Sequence, residues 1–193
     1  MVRSKLSNDT ITLWTVQTPE AFEILRSTGI LQGDKEHVME GFEDAYDWMK
    51  KNMVKRGILF NGASVHDYPI WAWYKLCGKK PDLRTSGFAE RGTPLVLLTL
   101  KVDPARVLLS DFDLWHNILN NWYICETEEQ YEKFNNLKYF KAHHKKTWRR
   151  VFKVFDKKLM DFHGITENNQ SIQAVLWNIS IDDVVGFRYF IAK

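Results

Sequence analysis

Cysteine is nearly missing from the 193 residues: Cys77 and Cys125 are the two. They are too few for a disulfide framework or a four-thiolate zinc site. No run approaches the roughly 18 to 20 apolar residues that a membrane-spanning helix needs. The opening MVRSKLSNDT lacks the apolar stretch of a secretory signal. Glycine (10) and proline (5) are sparse; they punctuate periodic segments and form no linker. GxGxxG, the P-loop, HExxH and GxSxG are all missing, so the common nucleotide, zinc and hydrolase signatures fail. Together these absences predict one globular domain over 1–193, with 1–10 as a flexible extension, no membrane, reduced thiols and a cytoplasmic location.

What is present is a 45% hydrophobic chain, enough for a packed core. ITLWTV (11–16) reads as a strand. Thr18-Pro19-Glu20 then opens a helix over 19–28, with Thr as N-cap, Ala21, Phe22 and Leu25 on one face, and Gly29 as its stop. A second helix is expected over about 40–55. Tyr68-Pro-Ile-Trp-Ala-Trp-Tyr74 holds four aromatics in seven residues and suits a strand. Residues 77–92 read as a long loop or lid. LVLLTLKV (95–102) is a buried strand, followed by a shorter run at 107–109. Ser110-Asp111-Phe112-Asp113 resembles a capping box opening a helix over 112–124. Residues 127–156 read as one or two helices, with Trp148, Val151, Phe152 and Phe155 facing the core. IQAVLWNI and VVGFRYFIA close the chain as strands. The whole is α+β. A short echo links 100–108 with 177–185: each is a strand end, an acidic turn and a β-branched restart.

The net charge of +3 hides an uneven distribution. Lys133 to Lys158 holds ten Lys and Arg and one acid, Asp156, leaving 17 basic against 23 acidic residues elsewhere. Lys141, Lys145, Lys146, Arg149, Arg150 and Lys153 lie there, with Lys145, Arg149 and Lys153 on one side of the expected helix. A solvated helix face would explain them. Charge so little relieved by neighbouring acids also favours nucleic acid or another phosphate-rich partner.

Candidate chemistry is thin. Asp111, Asp113 and His116 gather at a helix start, where capping outweighs a metal-dependent nuclease. His143 and His144 are adjacent on a helix, point apart and form no metal pair. Gln17 stands at the C-terminal end of the first strand, where α+β proteins present ligand-binding groups. Gln170 and Gln173 flank the start of the final apolar strand. Trp71, Trp73 and Tyr74 give one face to the core and offer the other for stacking a flat ligand.

LWTVQTPEAFEILRSTGIL, YPIWAWYK with PDLR, LLSDFDLWHNILNNWY and QSIQAVLW together resemble an uncharacterised bacterial family known as a domain of unknown function. The chain is also similar to the ADP-ribosyltransferase superfamily, especially branches that modify nucleic acids. Those proteins open with a strand bearing a polar NAD-binding residue, then a helix ending Leu-x-x-x-Gly-x-Leu, matched here by Gln17 and by Leu25 to Leu31. Their catalytic Glu heads a late strand, where this chain has Gln173. The resemblance implies a split sheet carrying an NAD site. Gln17 and Gln173 would hold the ribose and amide, with Trp14, Trp71, Trp73, Tyr74 and Gln170 lining the site. The sequence departs from that pattern at both glutamines. The first-strand residue is typically His or Arg, and Gln173 brings no negative charge to stabilise the sugar as nicotinamide leaves. A non-catalytic nucleic-acid-binding module on the same scaffold is the alternative.

Overall fold

Alternation along the first strand sets the architecture. In β1 (Ile11–Gln17), Leu13 and Thr15 are buried on one side, while Trp14 and Val16 are half-buried on the other, as the period of two requires. The computed structural model describes residues 10–64, 66–83 and 89–193. The expected flexible extension therefore lies, apart from Thr10, outside the described residues, as do 84–88 of the expected loop. Around β1 assemble β3 (Ile70–Lys75), β4 (Pro94–Val102), β5 (Leu108–Asp111), β6 (Ile172–Leu176) and β8 (Val184–Ile191). They form a six-stranded sheet of order β5-β6-β3-β1-β4-β8. Its ladders are all antiparallel. A smaller sheet pairs β2 (Ile30–Gln32) with β7 (Asn178–Ser180). Trp177 alone separates β6 from β7, so one extended stretch leaves the large sheet and enters the small one.

Helices cover both faces of the large sheet. Helix α1 (Pro19–Thr28) begins where Thr18 Oγ1 accepts the Ala21 N–H at 3.1 Å. It ends at Gly29, whose φ of 82° is left-handed and whose N–H reaches the Leu25 carbonyl. Phe22 and Leu25 pack with Leu13, Leu98, Leu100 and Ile179. Complete burial of such side chains is worth about 1.5–3 kcal/mol each. On the opposite face, α2 (Glu43–Lys55), α3 (Phe112–Leu119) and α6 (Lys157–Phe162) join a 3-10 turn over Trp148–Phe152. They bring Met49, Met53, Ile118, Trp148 and Leu159 against Val175 and Trp177. Helices α4 (Glu128–Phe134) and α5 (Leu137–Thr147) enclose a smaller cluster of Tyr123, Cys125 and Phe134.

Two local expectations are corrected. Of Ser110 and Asp111, the two candidate caps, Asp111 is the N-cap of α3, its Oδ1 accepting the Leu114 N–H at 3.1 Å, so the capping box expected from Ser110 is not formed. Ser110 is still ladder, opposite Gln173, and the helix runs only to Leu119. The basic stretch is not a continuous helix either, because α5 gives way to the 3-10 turn at Trp148. Three residues per turn instead of 3.6 rotates everything downstream off the expected stripe. Phe155, expected in the core, is accordingly 63% exposed.

Backbone approach is closest at Gly78. Its φ is +71°, and an added Cβ would sit 2.2 Å from the Glu167 carbonyl oxygen. Its N–H donates to the Gln170 carbonyl at 2.8 Å.

The echoed segments prove to be two matching strand connections. Asp103 caps a 3-10 turn over Pro104–Arg106, and Ser180 caps another over Ile181–Asp183. Arg106 and Asp183 then join them through paired contacts of 2.7 and 2.9 Å. Both side chains are about nine-tenths buried. Asp183→Ala is expected to cost about 3–5 kcal/mol by leaving a buried guanidinium unpaired. Urea denaturation measures this; a loss below 1 kcal/mol would show the pair to be dispensable.

Candidate functional site

Strand register gathers one row of side chains across the large sheet. Ser110 lies opposite Gln173, Gln173 opposite Trp73, Trp73 opposite Trp14, and Trp14 opposite Thr99. Directly opposed residues of antiparallel strands share a face, so β5, β6, β3, β1 and β4 each contribute one member. The row is polar at one end and aromatic at its centre. Ser110 Oγ, Gln173 Nε2 and Trp14 Nε1 are buried without a hydrogen-bond partner among the described residues. Unpartnered buried donors are uncommon in native proteins, and each needs an explanation.

Cavities open at both ends of the Trp14–Trp73 pair. One, of about 240 Å³, is lined by Val16, Gln17, Trp71, Trp73 and Leu95. The other, of about 450 Å³, is lined by Trp14, Tyr74, Lys75, Lys79 and Lys80. Lys80 Nζ stands 5.4 Å from the Trp14 ring centroid, a cation–π distance. A larger cleft of about 850 Å³ adjoins the first and shares Val16, Gln17, Thr18 and Trp71 with it. Tyr46 walls that cleft. Burial pushes its hydroxyl pKa up, opposed in part by the Trp71 indole N–H. Trp71 itself packs against Tyr46 and Trp115, with ring centroids 5.7 and 5.0 Å apart.

The residues expected from sequence divide accordingly. Trp14, Trp73 and Gln173 come together in the row, while Trp71 and Tyr74 line the flanking cavities. Gln17 does not meet Gln173. Alternation puts it with Thr15 on the opposite face, and its Nε2 donates to Thr15 Oγ1 at 2.9 Å. Gln170 is taken up by the interior: it is 3% exposed, and its amide donates to Asp111 and to the Val154 carbonyl. The nuclease arrangement is not formed. Asp111 caps α3, and His116 Nδ1 lies 2.9 Å from the Phe112 carbonyl within its own helix. Burial and then the Asp111 charge raise the Asp113 pKa. Among the described residues no three metal-ligating side chains cluster. Ser110 was missed because only strand register brings it to this face, and Lys79 and Lys80 because only the turn that follows β3 brings them to the cavity beside Trp14.

The basic residues divide as well. Lys146, Arg149, Arg150 and Lys153 line a groove of about 620 Å³ with Arg56. Lys145 turns away, 3.6 Å from Asp44 and over the Trp148 ring. Lys141 is exposed outside the groove. Acids distant in sequence enter here: Glu126 meets Arg150 at 3.2 Å and Lys153 at 2.5 Å. His144 is buried against Asn121 while His143 stacks on Tyr139, so the two histidines do point apart.

The architecture is that of an α+β protein on an antiparallel sheet, with an aromatic and amide row beside its clefts. The chain belongs to the family described as a domain of unknown function (DUF3841), which matches residues 12–185. No curated protein and no solved structure matches it. Among the described residues no helix is long and apolar enough to cross a membrane.

Glu126 carries a pH signature. Burial pushes its carboxyl up, but Lys153 and Arg150 outweigh that and hold it below its usual value of 4.5. A depressed folded-state pKa stabilises above the unfolded value, and that stability is lost as pH falls through the folded one. Glu126→Gln is therefore expected to unfold more easily than wild type at pH 7, with the gap narrowing as pH falls below the usual carboxyl value of 4.5. Urea titrations at both pH values measure it, and a gap unchanged with pH would overturn the assignment.

Proposed function

We propose that the chain is an ADP-ribosyltransferase-like domain that binds NAD over the Trp14–Trp73 pair and acts on a nucleic acid or another anionic partner. The observation that carries this reading is the row across β6, β3 and β1. There, Gln173 Nε2 and Trp14 Nε1 are buried donors without acceptors among the described residues, next to two aromatic rings. A ligand with a flat ring and ribose hydroxyls supplies both stacking and acceptors. Lys79 and Lys80 border the cavity beside Trp14, where a diphosphate would lie. The order of elements adds support: a strand ending in Gln17, a helix closed by Gly29, and a late strand headed by Gln173 follow the sequence of parts in that superfamily.

The Gln173 amide donates to a hydroxyl but carries no charge, so it offers positive charge on the sugar little electrostatic help. Gln17 is on the opposite face and cannot join it in the row. These two facts favour, as a second reading, a module on the same scaffold that binds nucleic acid without catalysis.

NAD separates the two. At a hundredfold excess over its dissociation constant a ligand adds about 2.7 kcal/mol to stability, a clear rise in unfolding temperature. Wild type is expected to show that rise, and Gln173→Ala and Trp14→Ala to lose most of it. Labelled NAD incubated with DNA, RNA or cell extract then reports transfer. Absence of stabilisation together with absence of transfer and NAD hydrolysis ends the NAD reading.

A further inference from the structure

The groove beside α5 holds cations that the fold leaves without acids. Arg56, Lys146, Arg149, Arg150 and Lys153 line it against a single carboxylate, Glu126. Glu126 is used by Arg150 and Lys153, and Arg150 also donates to the Ile124 carbonyl. Arg56, Lys146 and Arg149 have no acidic partner among the described residues. Arg56 is held in place, its guanidinium 4.2 Å from the centroid of Phe152, a ring that also stacks on Trp48. Burial and then the Arg149 charge lower the Arg56 pKa. Like charges gathered at a concave surface favour a polyanion that relieves them.

Aromatic rings interrupt the cations. Tyr139 and His143 stack on one another with centroids 4.4 Å apart. They line this groove and also a neighbouring hollow of about 470 Å³ that reaches Lys133 and Lys138. Lys133 is already paired with Glu129 at 2.5 Å. The track therefore runs from Arg56 and Arg149 past Lys146, over the ring pair, to Lys138. Tyr139 remains 39% exposed at its middle. A duplex keeps its base faces stacked inside, whereas a single strand offers them to such a ring while cations follow its backbone.

We infer that this groove binds single-stranded nucleic acid, with phosphates at Arg56, Arg149, Lys146 and Lys138 and one base against the Tyr139–His143 pair. The inference rests on the nucleic-acid half of the reading above and not on NAD.

Fluorescence anisotropy with labelled oligothymidylate, oligouridylate and a duplex of equal length tests it. Either single strand is expected to bind more tightly than the duplex. Affinity should fall with salt at a slope of about −2.8, or −0.7 for each of four phosphates. Arg56→Ala with Arg149→Ala should reduce that slope by about 1.4. Tyr139→Ala should weaken binding about tenfold and leave the slope intact. Lys145→Ala, outside the groove, should change neither. The inference is overturned by a duplex that binds as tightly as the single strands, by no salt-dependent binding at all, or by Lys145→Ala weakening binding as much as the double arginine variant. NAD-induced stabilisation, transfer and NAD hydrolysis measured on the same proteins keep the outcomes apart: absence of all three ends the NAD reading and leaves the groove standing.

Discussion

The Arg106–Asp183 pair is the constraint on which the two sheets depend. A buried ion pair overcomes its desolvation cost only when the remaining donors and lone pairs are also used, and here they are. Asp183 Oδ2 accepts from Arg106 and from the Ser180 N–H at 2.8 Å. Arg106 Nη2 also reaches Asn178 Oδ1 at 3.2 Å, and Asn178 Nδ2 donates to the Asn61 carbonyl at 2.8 Å. The cluster fixes the two turns from which β5 and β8 depart. Those strands are the outer edges of the six-stranded sheet, so one charge pair ties both edges to the strand that crosses into the small sheet.

Register follows from that anchoring, and the site follows from register. A one-residue slip of β6 against β3 would turn Gln173 to the other face and replace it with Ile172 or Ala174. The polar row is therefore a property of strand alignment and not of any local motif. The same holds for the basic surface. Within the chain the cations from Lys133 to Lys158 look unrelieved, but folding brings Glu126, Glu129 and Asp44 to four of them. What remains unpaired among the described residues is a smaller set, joined by Arg56 from the C-terminal cap of α2.

Signals confined to a few neighbouring residues were readable in advance. Thr18, Pro19 and Gly29 bound α1 because caps act over three or four residues. The run from Leu95 to Val102 became a central strand because its apolar content leaves little other outcome. Helix 112–124 and the 127–156 stripe were misjudged where a distant contact decides. Thr147 Oγ1 accepts the Ile124 N–H at 2.9 Å and donates to the His144 carbonyl at 2.6 Å. That places α5's last turn against the segment after α3, and the chain tightens to 3-10 there. Gln170 looked free at a strand mouth, yet Asp111, 59 positions away, takes its amide. Of the candidate site, residue types were legible and faces were not, since Gln17 and Gln173 differ by strand parity and pairing.

That difference of face bears on what the glutamines can do. Gln17 has its amide on Thr15 Oγ1, and Thr15 in turn donates to the Trp71 carbonyl at 2.9 Å. It thereby ties the end of β1 to β3, and its position at the shared rim of two clefts is set by this chain of bonds. Gln173 is the opposite case, with an amide that the fold buries and leaves without an acceptor among the described residues. An unmet buried donor is destabilising, by about 1–3 kcal/mol, and apolar side chains would fill the same volume without that cost. Of the two, Gln173 is therefore the one whose chemistry the fold does not explain by itself. Under the reading proposed above, a ligand acceptor on the Trp14–Trp73 face would meet it.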